Sequence, residues 1–416
     1  MTNLQFWRSL IAANRAGERR GIPSWCTAQR ETLSAILAAH RDSDGPILIE
    51  ATCNQVNHEG GYTGMRPADF RRFVEGLAKA EDIDPARLIL GGDHLGPNPW
   101  KSLPAAEAMS RARDMVQSFV EAGFTKIHLD ASMACADDRA LSEETIAERA
   151  ASLCAVAESA GRDLVYVIGT EVPIPGGELQ NLDALAVTRP EAARRTYELH
   201  QKAFAAAGVG DALARVIALV VQPGVDMGNT QVFAFDPGKA TSLSLALDDL
   251  PGLIYEAHST DFQSEKALRL LVGMHFPILK VGPSLTFAFR EAALGLSEIE
   301  RRLPDVLRSG VPEALEQAMQ DDPRHWRPYC EAGPDQNHLR LYGLSDRVRY
   351  YWPTPGVQSA LRHLFANIDG GKPLPGLVSQ YLGATLLDRS EPTLSKRAIA
   401  AKVGGVVGRY RRAAGT

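Results

Sequence analysis

The feature that most constrains this chain is an alternation. Short apolar runs recur along it, and each is followed by a longer segment whose apolar residues fall at helical spacing. The runs are Ile22–Cys26, Pro46–Ala51, Leu88–Gly91, Lys126–Asp130, Leu164–Gly169, Arg215–Val221, Gly252–Tyr255 and Ile278–Val281. The helical segments that follow them are Ala28–Arg41, Ala68–Glu81, Ala105–Ala122, Ser142–Ala160, Pro190–Ala207, Ala240–Ala246, Ser264–Val272 and Ala288–Ile299. Strands that are apolar almost throughout must be buried on both faces, which means a parallel sheet covered by helices. Eight strand–helix units over roughly 250–300 residues are the size of an α/β TIM (β/α)8 barrel. A doubly wound sheet is the competing fold. The first strand–helix turn lacks GxGxxG, however, and polar residues follow most strands rather than one switch point. The expected architecture is a barrel with a short N-terminal helix over residues 1–302 and a helical C-terminal region over 303–416 packed on it. From about Leu303 the strand rhythm stops, and helical segments, Pro-rich joints and an aromatic cluster, SDRVRYYWP (Ser345–Pro353), take over.

Composition narrows the function classes. The 416 residues are 45% hydrophobic and 23% charged, an ordinary composition for a globular chain. The net charge is −5, and the only basic cluster, Lys402–Arg412, reads as the solvated face of a last helix, so nucleic acid is not an expected partner. No run of about 18 apolar residues exists to span a membrane. The N-terminal stretch lacks the basic-then-apolar pattern of a secretory signal. The five cysteines, Cys26, Cys53, Cys135, Cys154 and Cys330, are odd in number and not closely paired. A reducing cytoplasm is therefore expected.

The strand ends carry the chemistry. In a barrel they converge on one face, where residues distant in sequence meet. In Leu88–Trp100 (LILGGDHLGPNPW) an apolar run ends in two glycines, and Asp93 and His94 follow side by side. Alone, such a pair most often hydrogen-bonds a loop. Here other strand ends add Glu50 and Asn54, His128 and Asp130, Glu171, Gln222, His258 and Asp261, and Lys280 with Ser284. Two strand-end histidines and a carboxylate can make an open three-ligand site for Zn²⁺ or a similar divalent ion. His94 and His258 are the expected ligands and Glu171 the third. Gln222 is a weaker donor that could instead bind a sugar hydroxyl. His128 shares a strand face with Asp130 and is assigned a buried supporting role. Asp130 could act as an acid, orient a ligand or cap a helix. The backbone N–H groups of Gly282 and Ser284 lie where barrels often hold a phosphate, with Lys280 supplying charge. Lys280 as a Schiff-base nucleophile is the alternative. There is no GxxxxGK[ST] loop, and no nucleotide cofactor is expected.

Several stretches in this order resemble the GatZ/KbaZ family of D-tagatose-1,6-bisphosphate aldolase subunits. They are IEATCNQVNHEGGYTGM (49–65), GGDHLGPNPW (91–100), AGFTKIHLDASMACADD (122–138), YVIGTEVPIPGGE (166–178), RVIALVVQPGVD (215–226), YEAHSTDFQ (255–263), ILKVGPSLTFAFREA (278–292) and SDRVRYYWP (345–353). They cover nearly the whole chain. The resemblance implies a barrel similar to the zinc-dependent class II aldolases. Asp93 and His94 match the aldolase pair in which the His binds zinc and the Asp moves the proton of the C4 hydroxyl. His258–Ser259 matches a later ligand. The remaining aldolase histidine falls near Gln222, where this chain has none.

Two functions follow from the resemblance. The first is metal-dependent 4-epimerisation of a ketohexose phosphate, tagatose 6-phosphate to fructose 6-phosphate, by retro-aldol and aldol steps. Asp93 would be the base, with Asp130 or Glu171 assisting the returning proton. Asn54, Gln55 and Gln222 would bind hydroxyls, and Ser259, Gly282 and Ser284 the phosphate, with Lys280 supplying charge; Asp261 is a further substrate-binding candidate. The alternative is a non-catalytic subunit that stabilises a separate class II D-tagatose-1,6-bisphosphate aldolase chain. A homo-oligomer is left open. The older label of tagatose 6-phosphate kinase is disfavoured, since no kinase signature is present.

Overall fold

Eight parallel strands close into a barrel in the computed structural model, which describes residues 2–170, 185–330 and 332–416. They are β1 (Ile22–Cys26), β2 (Ile47–Thr52), β3 (Leu88–Leu95), β4 (Lys126–Leu129), β5 (Val165–Ile168), β6 (Val216–Val221), β7 (Ile254–Ala257) and β8 (Ile278–Val281). Each pairs with its sequence neighbour, and β8 returns to β1 with Ile22 opposite Ile278. The fold is the expected TIM barrel with a helical C-terminal region. A two-residue-per-strand hairpin, Asp226–Met227 with Val232–Phe233, lies outside the barrel.

Helices α1 (Asn3–Arg15), α2 (Arg30–Ala38), α3 (Pro67–Ala80), α4 (Ala105–Glu121), α5 (Glu143–Ala160), α6 (Pro190–Ala206), α7 (Pro237–Leu245), α8 (Glu265–Gly273) and α9 (Pro283–Glu300) accompany the strands. Helix α1 is anchored by a Thr2 capping box with Gln5. Its apolar face, Phe6, Trp7, Leu10 and Ile11, packs with Ile22, Leu48, Ile89, Val165, Ile217, Ile254 and Ile278. These strand residues form the apolar floor of the barrel interior, and α1 closes its lower end.

Strand alternation then sets what lies above the floor. Residues two apart share a face, so Leu48 is followed inward by Glu50, Ile254 by Glu256, and Ile278 by Lys280. Above the apolar layer the interior is therefore charged.

Two boundaries differ from the sequence expectation for a physical reason. Strand β3 does not end at Gly91 but runs on to Leu95. Gly91 pairs in register with Glu50, and a Cβ there would sit 2.5 Å from the Glu50 carboxylate. The glycine makes room for a neighbouring side chain rather than stopping the strand. Helix α9 begins at Pro283 rather than Ala288, with proline in the first helical turn.

After α9 come α10 (Val311–Asp321), α11 (Gln336–Tyr342), α12 (Pro355–Gly370), α13 (Pro375–Leu382) and α14 (Leu394–Ala414). Helix α14 lies against α2, α8 and α9. Its Tyr410 hydroxyl donates to the Thr260 carbonyl at 2.6 Å, and the Gly21 amide donates to Ala414 at 2.9 Å. The last helix is thus fastened to the barrel. All five cysteines are buried and free. Among the described residues no helix is long and apolar enough to cross a membrane.

Two buried histidines give the fold a pH dependence. His40 on the turn after α2 and His200 on α6 each place Nδ1 2.8 Å from a carbonyl one helical turn back. Burial lowers both pKa values to about 4. The unfolded chain takes up these protons below pH ~6.5 and the folded chain does not until pH ~4. Stability is full above the unfolded pKa and is lost as pH falls between the two values, by about 3 kcal/mol per histidine at the lower end. The urea midpoint is expected to drop from pH 7 to pH 5, and less so in His200→Leu. An unchanged pH dependence in that variant would refute the assignment.

Candidate functional site

The end of β3 departs from regular pleating. Gly91 opposes Lys126 and Gly92 opposes Ile127, yet Leu95 opposes Leu129, so one extra residue is inserted on β3. His94 takes a left-handed φ of 50°. A bulge of this kind re-aims side chains. In a regular strand Asp93 and His94 would face opposite sides; here both point to the barrel interior. A left-handed histidine is strained backbone, a feature that concentrates at functional sites. The bulge is held by close approach: a Cβ on Gly96 would lie 1.6 Å from the Asp130 carbonyl oxygen. Ser259, directly after His258, is also left-handed, at φ 52°.

Three imidazoles meet above the charged layer. The ring centres of His94, His128 and His258 are 4.9, 5.1 and 5.2 Å apart. Each ring has one nitrogen on a carboxylate. His94 Nδ1 lies 2.7 Å from Asp130 Oδ2, His128 Nδ1 2.9 Å from Asp93 Oδ1, and His258 Nε2 3.0 Å from Glu256 Oε1. For His258 the contact puts a proton on Nε2 and leaves a lone pair on Nδ1. His128 Nδ1 also accepts from the His94 amide at 3.2 Å, and His94 Nε2 lies 3.6 Å from Asp93 Oδ2. His128 Nε2 and His258 Nδ1 are buried with no hydrogen-bond partner. Asp93, His94, His128 and His258 each offer one donor atom, all within 4.8 Å of one another. Imidazoles backed by carboxylates, with the Asp93 carboxylate among them, are donors of the kind a divalent transition metal takes. The residues fit such an ion.

Electrostatics hold Asp93 ionised. Burial favours protonating Asp93, but His94, Lys280 and the bond from His128 outweigh it and keep its pKa well below the usual range. Burial likewise opposes charge on His94, and Asp93 and Asp130 overcome it and raise its pKa. His258 goes the other way: burial lowers it to about 3. Beneath the cluster, Lys280 lies 2.9 Å from Asp93 and 3.4 Å from Glu256 and also pairs with Glu50. Lys126 bridges Glu50 at 2.6 Å and Glu256 at 2.7 Å. Burial opposes charge on Lys280, but these carboxylates raise its pKa well above the ordinary lysine value. So held, it is protonated and no free amine nucleophile.

The remaining residues singled out in the sequence separate into two groups. Asn54, Gln55, Asp93, His94, His258, Ser259, Asp261, Lys280 and Gly282 line one cavity at the barrel mouth. Gln222 is not among its lining residues; its Oε1 accepts from the amides of Gly224 and Val225 at 2.8 and 2.9 Å. Asp130 stands behind His94, and its other oxygen accepts from Ser132. The amides of Gly282 and Ser284 donate to Asp261 Oδ1 at 3.1 and 2.8 Å. A phosphate seated on those amides would have to displace that carboxylate. Glu171 lies outside the described residues.

The comparisons with known proteins bear on the same constellation. A family model described as D-tagatose-1,6-bisphosphate aldolase subunit GatZ/KbaZ-like matches residues 7–415. The chain belongs to the GatZ/KbaZ-like family. A D-tagatose-1,6-bisphosphate aldolase subunit GatZ from Salmonella newport (strain SL254) is 46% identical over 397 residues, 93% of each chain. The subunit of the same name from Salmonella typhimurium (strain LT2) is likewise 46% identical over 397 residues and 93% of each chain. A crystal structure of a probable tagatose 6 phosphate kinase from Sinorhizobium meliloti 1021 is 44% identical. It superposes with a TM-score of 0.85 over 95% of this chain and all of that one.

In this GatZ/KbaZ-like chain two features go beyond the sequence expectation. His128, expected in a buried supporting role, bonds Asp93 at 2.9 Å and is also the third imidazole of the cluster. The signal was the spacing of Lys126 and His128, and of Glu256 and His258, which puts polar pairs on the inward face of otherwise apolar strands. The second feature is the SDRVRYYWP segment, whose Arg349, Tyr350, Trp352 and Pro353 line the cavity.

Proposed function

We propose that this chain works in carbohydrate metabolism as a subunit of a D-tagatose-1,6-bisphosphate aldolase, beside a class II aldolase chain. The observation that carries this reading is the near-full-length match to relatives bearing that name. It takes precedence over the epimerase reading, which the comparisons support less well. Residues 1–302 form the barrel unit in this view, and residues 303–416 cover it and complete its mouth.

A second reading, catalysis by this chain itself, is favoured by one specific observation: three carboxylate-backed imidazoles stand beside an ionised Asp93, and His94, His258 and Asp93 line a cavity. Catalysis by this chain would use that arrangement directly, whereas in a stabilising subunit it would be inherited from a catalytic ancestor. His94, His128 and His258 would hold a divalent ion, zinc by donor type. When bound, the ion would supply Lewis acidity to a substrate carbonyl. Asp93, kept ionised by its neighbours, would accept the C4 hydroxyl proton of a ketohexose phosphate. The C3–C4 pair of electrons would then pass toward C2 as that bond breaks. Re-addition to the other face of the aldehyde, with the proton returned from Asp93, would give the C4 epimer. Asn54, Gln55 and Ser259 would hold hydroxyls, and Glu171 remains a candidate proton donor.

One experiment separates the readings. The purified chain, with Zn²⁺ or Mn²⁺, is added to tagatose 6-phosphate and followed by NMR, and separately to a class II tagatose-bisphosphate aldolase chain. The subunit reading expects no fructose 6-phosphate and a several-fold rise in aldolase activity or lifetime. An unaffected aldolase refutes it. Fructose 6-phosphate that appears, and is lost in Asp93→Asn, establishes the second reading instead.

A further inference from the structure

The cavity needs an anion-binding group if its ligand is a sugar phosphate, and most of its cations are engaged. Lys280 is held by Glu50, Asp93 and Glu256. Arg30 is exposed at the rim, with its guanidinium 5.1 Å from the centre of the Phe73 ring. The amides after β8 already serve the Asp261 carboxylate. That leaves Arg349. Its Nη1 donates to the carbonyl oxygens of Ser345 and of Asp346, the latter at 3.0 Å, and its Nη2 to the Tyr350 hydroxyl at 3.1 Å. Among the described residues it makes no ion pair with a carboxylate.

The guanidinium is also built into place. The segment carrying it is clamped from two sides. Asp346 accepts from Thr286 at 2.6 Å and from Arg290 at 3.0 Å, both on α9. Asn229, in the hairpin outside the barrel, accepts from the Leu344 amide at 2.9 Å and from the Ser345 hydroxyl. The neighbouring Tyr350 ring packs on Tyr62 at 4.6 Å and stacks on His325 at 4.4 Å. Arg349 thus faces the cavity from a fixed, half-buried position, with its local bonds satisfied by neutral oxygens and no carboxylate bonded to it. Guanidinium in such a setting recognises phosphate through parallel charged hydrogen bonds.

We propose that Arg349, delivered to the barrel mouth by the C-terminal region, binds the phosphate monoester of the ligand, while Asp261 closes the backbone site after β8. The sugar part of this inference rests on the function proposed above; the anion part does not.

The test uses the full-length chain and three probes: inorganic phosphate, tagatose 6-phosphate and free D-tagatose, with binding read by calorimetry and phosphorus NMR. The wild type is expected to bind both phosphates, and tagatose 6-phosphate more tightly than D-tagatose. Arg349→Met is expected to weaken both phosphates by about 10- to 100-fold and leave D-tagatose unchanged. Arg349→Lys, which keeps the charge without the planar fork, should fall between. If Arg349→Met does not fold, a several-fold loss of phosphate binding in Arg349→Lys supports the proposal in its place. Undiminished phosphate binding in these variants, or no phosphate binding by the wild type, overturns the proposal. Inorganic phosphate bound through Arg349 with no affinity for tagatose 6-phosphate would uphold the anion site and refute the sugar.

Discussion

Zinc titrated into the purified chain is expected to bind at one ion per chain, and His128→Ala is expected to weaken that binding by at least about 100-fold. The expectation follows from the buried, unpartnered Nε2 of His128 and from the group in which it, Asp93, His94 and His258 each offer a donor atom within 4.8 Å of the others. Losing a ligand should cost more than losing a partner behind one, which typically costs 10–100-fold. Asp130→Asn, which alters only the group behind His94, is therefore the graded comparison, expected to lose about 10- to 100-fold. Competition with a chelator gives both numbers. Zinc bound equally well by His128→Ala would remove this histidine from the site and leave the donor set incomplete.

Replacing Lys126 by methionine is expected to destabilise the fold by about 3–5 kcal/mol, because it leaves buried carboxylates short of a cation. Glu50 and Glu256 sit fully inside the barrel, bridged by Lys126 at 2.6 and 2.7 Å. Lys280 remains beside them but is shared with Asp93. In the variant a carboxylate short of its cation should titrate higher than in the unfolded chain. Its penalty is present at neutral pH and shrinks as pH falls through that raised value. The urea midpoint should drop strongly at pH 7.5 and less at pH 5.5. The double variant Lys126→Met with Glu50→Gln should recover much of the loss. A midpoint unchanged in Lys126→Met would show that the two lysines are redundant.

These effects concern residues whose importance was unevenly visible in the sequence. The barrel was legible because near-continuous apolar strands and amphipathic helices need nothing beyond local pattern to be recognised. Asp93, His94 and His258 were legible because they follow apolar runs, where barrels gather functional groups. His128 was visible, but its place beside the other two imidazoles was not: within a strand, a histidine on the inward face can serve packing or a ligand, and the choice depends on what the other strands bring beside it. Gly91 was misjudged as a stop because its purpose lies in Glu50, on the neighbouring strand. Gln222 shares the strand-end position of the others, yet its amide is spent on the Gly224 and Val225 turn. Arg349 was inside a noted aromatic cluster, with no local sign that it reaches the mouth of a barrel whose last strand ends at Val281.

The sequence by itself determined the strand–helix alternation, hence the barrel, and which strand ends bear acids and imidazoles. It could do so because secondary structure and burial follow from periodicity along the chain. The tertiary structure alone decided that a bulge turns Asp93 and His94 inward together, and that His128 completes a trio of histidines. It also decided that Asp261 fills the amides after β8 and that Arg349 enters from the C-terminal region. Those four facts depend on register, on one inserted residue and on contacts between distant segments. Such relations exist only once the chain has closed on itself.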